Sequence, residues 1–234
     1  MVDREATPVL KRLIAEAAKH GHLQPAVVYG YWPCASERND VILFDPVSGA
    51  EAARFHLPRQ TDDSNRHLCI ADWFRPRGAA PLADEQAFIP AAAWANGARD
   101  VIAFHVVTMG EAASRWTERL FAADSYQEYL YAHGFSVEMA EALAEYWHKR
   151  VRQQLAIAGD DAMDVAGLFT QGYQGSRYSF GYPACPRLED QLILQRLLRW
   201  EEAGIRLSEE HQLVPEQSTS ALIVHHPGAK YFNL

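Results

Sequence analysis

A ten-residue stretch at positions 177–186 limits the possible folds more than any other part of this chain. It reads Arg-Tyr-Ser-Phe-Gly-Tyr-Pro-Ala-Cys-Pro. Gly181, Pro183 and Pro186 exclude a helix interior, because glycine is entropically costly there and proline lacks the amide hydrogen. Pro183 also favours an extended conformation at Tyr182. The stretch predicts either a stiff loop that presents side chains and backbone amides to a ligand, or a buried aromatic connector without a ligand.

Length and composition predict a soluble globular protein of one large domain or two small ones, with one domain favoured. The chain has 234 residues, of which 48% are hydrophobic. Its formal net charge of -8 disfavours nucleic-acid binding, because a phosphate backbone attracts a basic surface. Charged residues interrupt positions 1–20, and no apolar run approaches the ~20 residues that span a bilayer. Neither a signal peptide nor a membrane segment is therefore predicted.

Hydrophobic periodicity predicts a mixture of helices and short strands. Helices are expected over residues 7–20, over 110–155 with a division near 133–135, and over about 188–200, with only a short helix within 158–175. Strands are expected over residues 27–32, 40–45, 50–56, 66–73, 100–108, 211–215 and 218–225. This order favours an α/β fold of the α+β type, with helices packed on a twisted, mostly antiparallel sheet.

The reactive side chains do not form a familiar catalytic or metal motif. Cys34, Cys69 and Cys185 show no Cys-x-x-Cys spacing, which predicts reduced thiols in a cytoplasmic protein and no structural zinc site. Prolines flank Cys185, which indicates a structural thiol rather than a nucleophile. Glu145 and His148 have the Glu-x-x-His spacing of di-iron bundles, but those sites need two such motifs and further glutamates. No metal is predicted, and glycine-rich nucleotide motifs are absent from the sequence.

Three segments, in order along the chain, resemble one known family. Residues 144–152 read Ala-Glu-Tyr-Trp-His-Lys-Arg-Val-Arg, residues 177–186 contain Arg-x-x-x-Gly-Tyr-Pro-Ala-Cys-Pro, and residues 226–232 read His-Pro-Gly-Ala-Lys-Tyr-Phe. These resemble motifs of the S-adenosylmethionine-binding activation domain of cobalamin (vitamin B12)-dependent methionine synthase. The resemblance covers residues 25–234 and implies that domain's fold there, with residues 1–24 as an N-terminal helix or linker.

The resemblance implies an S-adenosylmethionine site without catalytic residues. Arg177 would hold the methionine carboxylate, since a planar guanidinium pairs with a carboxylate through two hydrogen bonds. Tyr182 and Tyr231 would face the sulfonium, because aromatic rings attract cations without competing for a proton. Glu141 would lie near the ligand's amino group, with an exposed helix glutamate as the alternative. The remaining predicted binding positions are Gly181, Ala184 and Phe232, the last through its ring packing or its backbone.

The function implied by the resemblance is the reactivation of oxidised cobalamin. The domain would bind S-adenosylmethionine and dock over cobalamin carried by the cobalamin-binding domain or another subunit. Flavodoxin or an equivalent reductase would donate an electron, after which the methyl group would pass to cobalt. The chain would then act as part of methionine synthase in methionine biosynthesis and would not make methionine alone.

The sequence also departs from the family's pattern. The Met1-Val2-Asp3 start is expected to lack an upstream aspartate that contacts the ligand, and Leu188 stands where some relatives have a histidine that faces the cobalt. Two alternatives therefore remain at this stage. One is a protein-interaction module that kept the fold without the ligand. The other is a stand-alone methyltransferase acting on a small molecule, which would need a general base near the sulfonium.

Overall fold

The computed structural model describes residues 2–61, 66–80 and 89–232, with side chains from residue 6 onward. Its α-helices are α1 (Val2–His20), α2 (Ala91–Ala95), α3 (Glu111–Ala122), α4 (Tyr126–Gln154), α5 (Val165–Phe169) and α6 (Gln191–Leu198). Its strands are β1 (Ala26–Glu37), β2 (Asp40–Phe44), β3 (Glu51–His56), β4 (Asp100–Thr108), β5 (Ser176–Ser179), β6 (Arg206–Leu207), β7 (Leu213–Val214) and β8 (Ser218–Val224). Short 3₁₀ turns lie at Ile70–Trp73, Leu188–Asp190 and Trp200–Ala203.

Six strands form the main sheet, in the order β3-β2-β1-β4-β8-β5. β1, β2 and β3 make an antiparallel meander, and β5 pairs antiparallel with β8. A separate antiparallel pair joins β6 and β7. The predicted α/β fold with a mostly antiparallel sheet and packed helices is confirmed. β5 lies at the end of the strand order, so that one of its edges is left for contacts other than the sheet.

The chain divides into two compact units, each with its own core. The first unit comprises Met1–Val28, Val106–Trp147 and Gln195–Ser220, and the second comprises Tyr29–His105, His148–Leu194 and Ala221–Leu234. In the first unit, a buried cluster joins α1 to α3 and α4 through Leu13, Ala17, Trp116, Ala132 and Phe135. In the second unit, ring contacts connect Trp32, Phe55, Phe104 and Phe180. Both cores follow the burial of large apolar side chains, which dominates folding.

Helix α4 runs without interruption through the division predicted near residues 133–135. Directly after the predicted division, the Ser136 hydroxyl donates to the Ala132 carbonyl at 2.7 Å inside α4. Ala132 and Phe135, on either side of Gly134, are buried against Leu13 and Ala17. That packing offsets the cost of about 1 kcal/mol for a glycine inside a helix. The actual break between the helices lies at residues 123–125.

Two other predicted elements differ from the structure. The strand expected over residues 66–73 is a loop and the 3₁₀ turn Ile70–Trp73, while residues 62–65 lie outside the described part of the chain. The Asp72 carboxylate accepts from the Cys69 amide at 2.9 Å and from both terminal nitrogens of Arg59 at 2.8 Å, which favours the turn over a strand. Helix α1 begins at Val2 rather than Thr7, so that Pro8 lies inside it.

Other predicted elements agree more closely. The strands expected over 27–32, 40–45, 50–56, 100–108 and 218–225 correspond to β1, β2, β3, β4 and β8, and the short helix expected within 158–175 is α5. Of the strand expected over 211–215, only β7 forms. Within the described ranges, none of the helices is long and apolar enough to cross a membrane.

Gly175, immediately before β5, provides a test of how that strand is fixed. Its φ is +84°, and an added Cβ would lie 2.4 Å from the Val224 carbonyl oxygen. Gly204 also has a positive φ, +74°, but nothing lies within 4 Å of its Cβ position. We expect Gly204→Ala to reduce the free energy of unfolding by about 1 kcal/mol and Gly175→Ala by about 3 kcal/mol or more. Urea unfolding measures both, and equal losses would contradict the role given to the contact with Val224.

Candidate functional site

The start of the aromatic stretch is a strand rather than the loop predicted from sequence. Residues 177–179 belong to β5, and Arg177 is opposite Ile223 in the register with β8. Burial alternates along the strand, since Ser176 and Tyr178 are buried while Arg177 and Ser179 are half-buried. Side chains alternate between the two faces of a strand, so Arg177 faces away from Tyr178. The edge strand thus presents the guanidinium on one face and buries an aromatic ring on the other.

Two aromatic residues fix this strand and the turn that follows it. The Phe180 ring lies 6.1 Å from the Phe55 ring, within the aromatic core of the second unit. The Tyr178 ring meets Phe232 edge-on at 6.1 Å, and its hydroxyl donates to the Lys230 carbonyl at 2.8 Å. Burial raises the pKa of Tyr178, so its hydroxyl remains a donor at neutral pH. These contacts agree with the predicted buried aromatic connector, and the presentation of side chains to a ligand stays a prediction.

A tight turn follows β5 and exposes Tyr182. Gly181 has φ of +87°, and its amide donates to the Cys185 carbonyl at 2.9 Å. The Cys185 amide donates to the Tyr182 carbonyl at 2.8 Å, with Pro183 at the second position, where its fixed φ suits a β-turn. Ala184 and Cys185 are buried, whereas Tyr182 is 58% exposed. Burial raises the pKa of the Cys185 thiol, which supports the predicted structural role.

The C-terminal segment contains a second turn of the same kind. The Ala229 amide donates to the His226 carbonyl at 3.0 Å, with a proline again at the second position. Ala229 and Phe232 are buried, while Tyr231 between them is 46% exposed. The His226 ring packs against Trp73 at 5.3 Å. Each turn therefore accompanies one exposed tyrosine that the sequence assigned to the site.

Tyr173, which the sequence reasoning missed, connects α4 to this region. The Arg152 guanidinium lies 4.0 Å from the centre of the Tyr173 ring, and the His148 ring meets that ring edge-on at 5.3 Å. Arg152 also donates to both oxygens of Asp161, at 2.8 to 3.2 Å. The two side chains of this ion pair are only 1% and 6% exposed. The resemblance had singled out the helix containing His148 and Arg152, but no local pattern marked Tyr173 or Asp161.

Two buried histidines lie in the electrostatic field of Arg177. Burial, and then the Arg177 charge, lower the pKa of His105 to about 3. Burial also lowers the pKa of His148, followed by the charges of Arg152, His105 and Arg177. Both imidazoles are therefore neutral at physiological pH. Neither imidazole therefore adds positive charge to this region.

Six of the seven predicted site residues belong to the second unit: Arg177, Gly181, Tyr182, Ala184, Tyr231 and Phe232. Contacts of Tyr178 with Lys230 and Phe232 connect β5 to the C-terminal segment. Glu141 is half-buried on α4 in the first unit, and its contact with the ligand stays a prediction. Among the residues that the structure describes, no three His, Cys, Asp or Glu side chains are grouped as metal ligands would be.

The low pKa of His105 predicts a loss of stability in acid. Its pKa in the unfolded chain is about 6.5, so below that pH the unfolded state binds a proton that the native state does not. We expect this one histidine to reduce the free energy of unfolding by about 2 kcal/mol between pH 7 and pH 5. In His105→Leu, the fall in the free energy of unfolding between pH 7 and pH 5, measured by urea unfolding, should be smaller by this amount. The exposed His20→Gln serves as the control, and an unchanged pH dependence in His105→Leu would contradict the prediction.

The buried Arg152–Asp161 ion pair predicts asymmetric effects of substitution. Asp161→Ala leaves a buried guanidinium without its carboxylate and should reduce the free energy of unfolding by about 3–5 kcal/mol. Replacing both partners, as Arg152→Met with Asp161→Leu, should recover most of that loss. The exposed pair Arg12–Glu128 is the control, since Glu128→Ala should cost at most about 1 kcal/mol. Urea unfolding measures these free energies. A double variant that is no more stable than Asp161→Ala would contradict the prediction.

The chain is similar to known proteins over its full length. The family model for the activation domain of vitamin B12 dependent methionine synthase matches residues 2–234. The methionine synthases of Mycobacterium tuberculosis (strain ATCC 25618 / H37Rv) and Mycobacterium leprae (strain TN) are each 44% identical over 243 residues. Each alignment covers 100% of this chain and 19% of the relative, so the chain spans about a fifth of the length of these enzymes.

A crystal structure of the MetH reactivation domain bound to AdoHcy has the same fold. The TM-score is 0.83 at 24% sequence identity, and the match covers 100% of this chain and 69% of the other. The family model and both methionine synthases match at the level of sequence, and the solved structure matches at the level of fold. The chain therefore belongs to the family of vitamin B12-dependent methionine synthase activation domains.

Proposed function

We propose that this chain binds S-adenosylmethionine and supports the reductive methylation of cob(II)alamin within a cobalamin-dependent methionine synthase. One observation carries the proposal: the half-buried Arg177 lies on a fixed edge strand that leads directly into the turn exposing Tyr182. The related reactivation domain was crystallised with AdoHcy, the product that S-adenosylmethionine becomes when it loses its methyl group. A site that accepts this product shares most of its chemistry with one that accepts the methyl donor.

Each residue of the proposed site has a role in binding. Arg177 pairs with the methionine carboxylate, and the nearby neutral histidines add no competing charge. Tyr182 and Tyr231 offer aromatic faces to the sulfonium. Gly181 and Ala184 shape the turn that presents Tyr182, and the Phe232 ring packs on Tyr178. The contact that the resemblance assigns to Glu141 is kept as a prediction.

This division of roles matches the chemistry of methyl transfer to cobalamin. Reduced cobalamin, held by a separate cobalamin-binding domain, would supply the nucleophile, and the sulfonium is already activated as a leaving group. The protein's contribution is then to bind and orient the methyl donor. A site made of an arginine and aromatic residues suffices for that task.

The wider context follows from the same proposal. The partners are the cobalamin-binding domain and flavodoxin or an equivalent reductase, in the cytoplasm. Residues 25–234 form the S-adenosylmethionine-binding part, and residues 1–24 form the N-terminal helix or linker. Nucleic acid is not expected as a partner, since the chain is acidic, and neither is a membrane, since no apolar run in the sequence approaches the ~20 residues that span a bilayer.

Calorimetric titration with S-adenosylmethionine tests the proposal. Wild-type protein should bind saturably, and Arg177→Ala should weaken binding by about 2–5 kcal/mol, because the ligand carboxylate loses its partner. Arg187→Ala is the matched control, since this nearby arginine is exposed and its ion pair with Asp190 is long, at 3.7 Å. Circular dichroism checks that each variant is folded.

Three outcomes would contradict parts of the proposal. A folded wild-type protein that does not bind would support the alternative of a protein-interaction module. Undiminished binding by Arg177→Ala would remove that residue from the site. Methyl transfer to a small molecule in the absence of a cobalamin protein would favour the stand-alone methyltransferase.

A further inference from the structure

Both the side-chain ammonium and the backbone carbonyl of Lys230 form hydrogen bonds. Its ammonium donates to the Gln171 carbonyl at 2.8 Å and to the Tyr173 carbonyl at 3.2 Å. Its own carbonyl accepts from the Tyr178 hydroxyl at 2.8 Å. A lysine at the protein surface ordinarily extends into water, where its ammonium is strongly hydrated. Here the side chain instead folds back onto the backbone of a neighbouring loop.

The loop that receives Lys230 is itself fixed at several points. The Gly172 carbonyl accepts from the Ala162 amide at 2.7 Å, close to Asp161 and its ion pair with Arg152. The Gln174 side chain donates to the His225 carbonyl at 2.9 Å, at the start of the C-terminal segment. Residues 171–174 therefore contact this segment on both sides of its turn. They provide a rigid support against which the segment can be held.

Tyr231 depends on this support for its orientation. Residues 230–232, the described part of the segment after Ala229, form no helix or strand, so their backbone is not held by a regular hydrogen-bond ladder. Its neighbours Lys230 and Phe232 are both fixed, by the loop and by the Tyr178 ring, while Tyr231 itself is partly exposed. A side chain ordered before binding loses less conformational entropy when the ligand arrives.

The geometry points to Lys230 as a positioning residue for S-adenosylmethionine. Its ammonium fixes the C-terminal segment on the Gln171 and Tyr173 carbonyls, and the ordered segment presents Tyr231 to the ligand. Lys230 acts through Tyr231 and does not contact the ligand itself. This inference rests on the proposed function and adds a residue that the predicted site did not include.

The test compares ligand affinity in single and double variants. Lys230→Met should weaken S-adenosylmethionine binding about 10-fold in calorimetry, because the segment must be ordered on binding. Lys230→Arg keeps a cation that can donate to the same carbonyls and should restore most of the affinity. Tyr178→Phe removes the bond to the Lys230 carbonyl and should weaken binding in the same direction. Lys149→Met is the control, because it removes an exposed ammonium of α4 that lies outside this network.

A double-variant cycle separates positioning from direct contact. If Lys230 acts through Tyr231, Lys230→Met should have almost no further effect in a Tyr231→Ala background. A full, additive effect in that background would show that Lys230 acts independently of Tyr231 and would overturn the inference. Wild-type affinity in a folded Lys230→Met protein would overturn it as well.

Hydrogen exchange in the absence of ligand provides a second measurement. The Tyr231 and Phe232 amides should exchange faster in Lys230→Met and in Tyr178→Phe than in wild type, with Lys149→Met unchanged. Unchanged exchange would contradict the ordering role even if affinity fell. A wild-type protein that does not bind S-adenosylmethionine would overturn the proposed function and this inference together, whereas binding without sensitivity to Lys230 would overturn the inference alone.

Discussion

The buried Arg152–Asp161 ion pair is the interaction on which the candidate site depends. Removing two charges from water is costly, and here the cost is offset by paired hydrogen bonds and by the Tyr173 ring against the guanidinium. Asp161 lies between α4 and α5, and the same Arg152 guanidinium faces Tyr173 in the loop before β5. That loop holds Lys230, whose carbonyl meets Tyr178 on β5. A single chain of contacts thus connects the helix motif to both tyrosine-bearing turns.

The turns at residues 182–185 and 226–229 have the same construction. Each accompanies an exposed tyrosine whose backbone is fixed by contacts with the core. In each, a proline at the second position restricts φ, a bond from the fourth residue to the first closes the turn, and the fourth residue, Cys185 or Ala229, is buried. Burying the fourth residue fixes the turn against the core. The tyrosines can then be exposed without making the segments that carry them flexible.

The sequence predicted the two tyrosine-bearing turns better than the contacts of Tyr173 and Asp161 that connect them to α4. Gly181 and the prolines predicted the turn because they act locally on the backbone, whereas Arg177, Tyr182 and Tyr231 were assigned by the family resemblance. Local patterns could not identify Tyr173 and Asp161, because their partners lie on α4 and in the C-terminal segment. For the same reason Gly134 misled the prediction of α4, where packing against α1 outweighs glycine's low helix propensity. β5 was missed because the glycine and prolines that follow it obscured a four-residue alternation.

The electrostatics of the second unit favour binding over acid–base catalysis. A general base works best with a pKa near the operating pH, whereas burial and the Arg177 charge lower the pKa of His105 to about 3. His148 is shifted in the same direction by burial and two arginines. A stand-alone methyltransferase that had to deprotonate its acceptor would gain little from either histidine. A methyl transfer whose nucleophile is supplied by another domain needs no such base, and it gains most from a fixed cation and fixed aromatic faces.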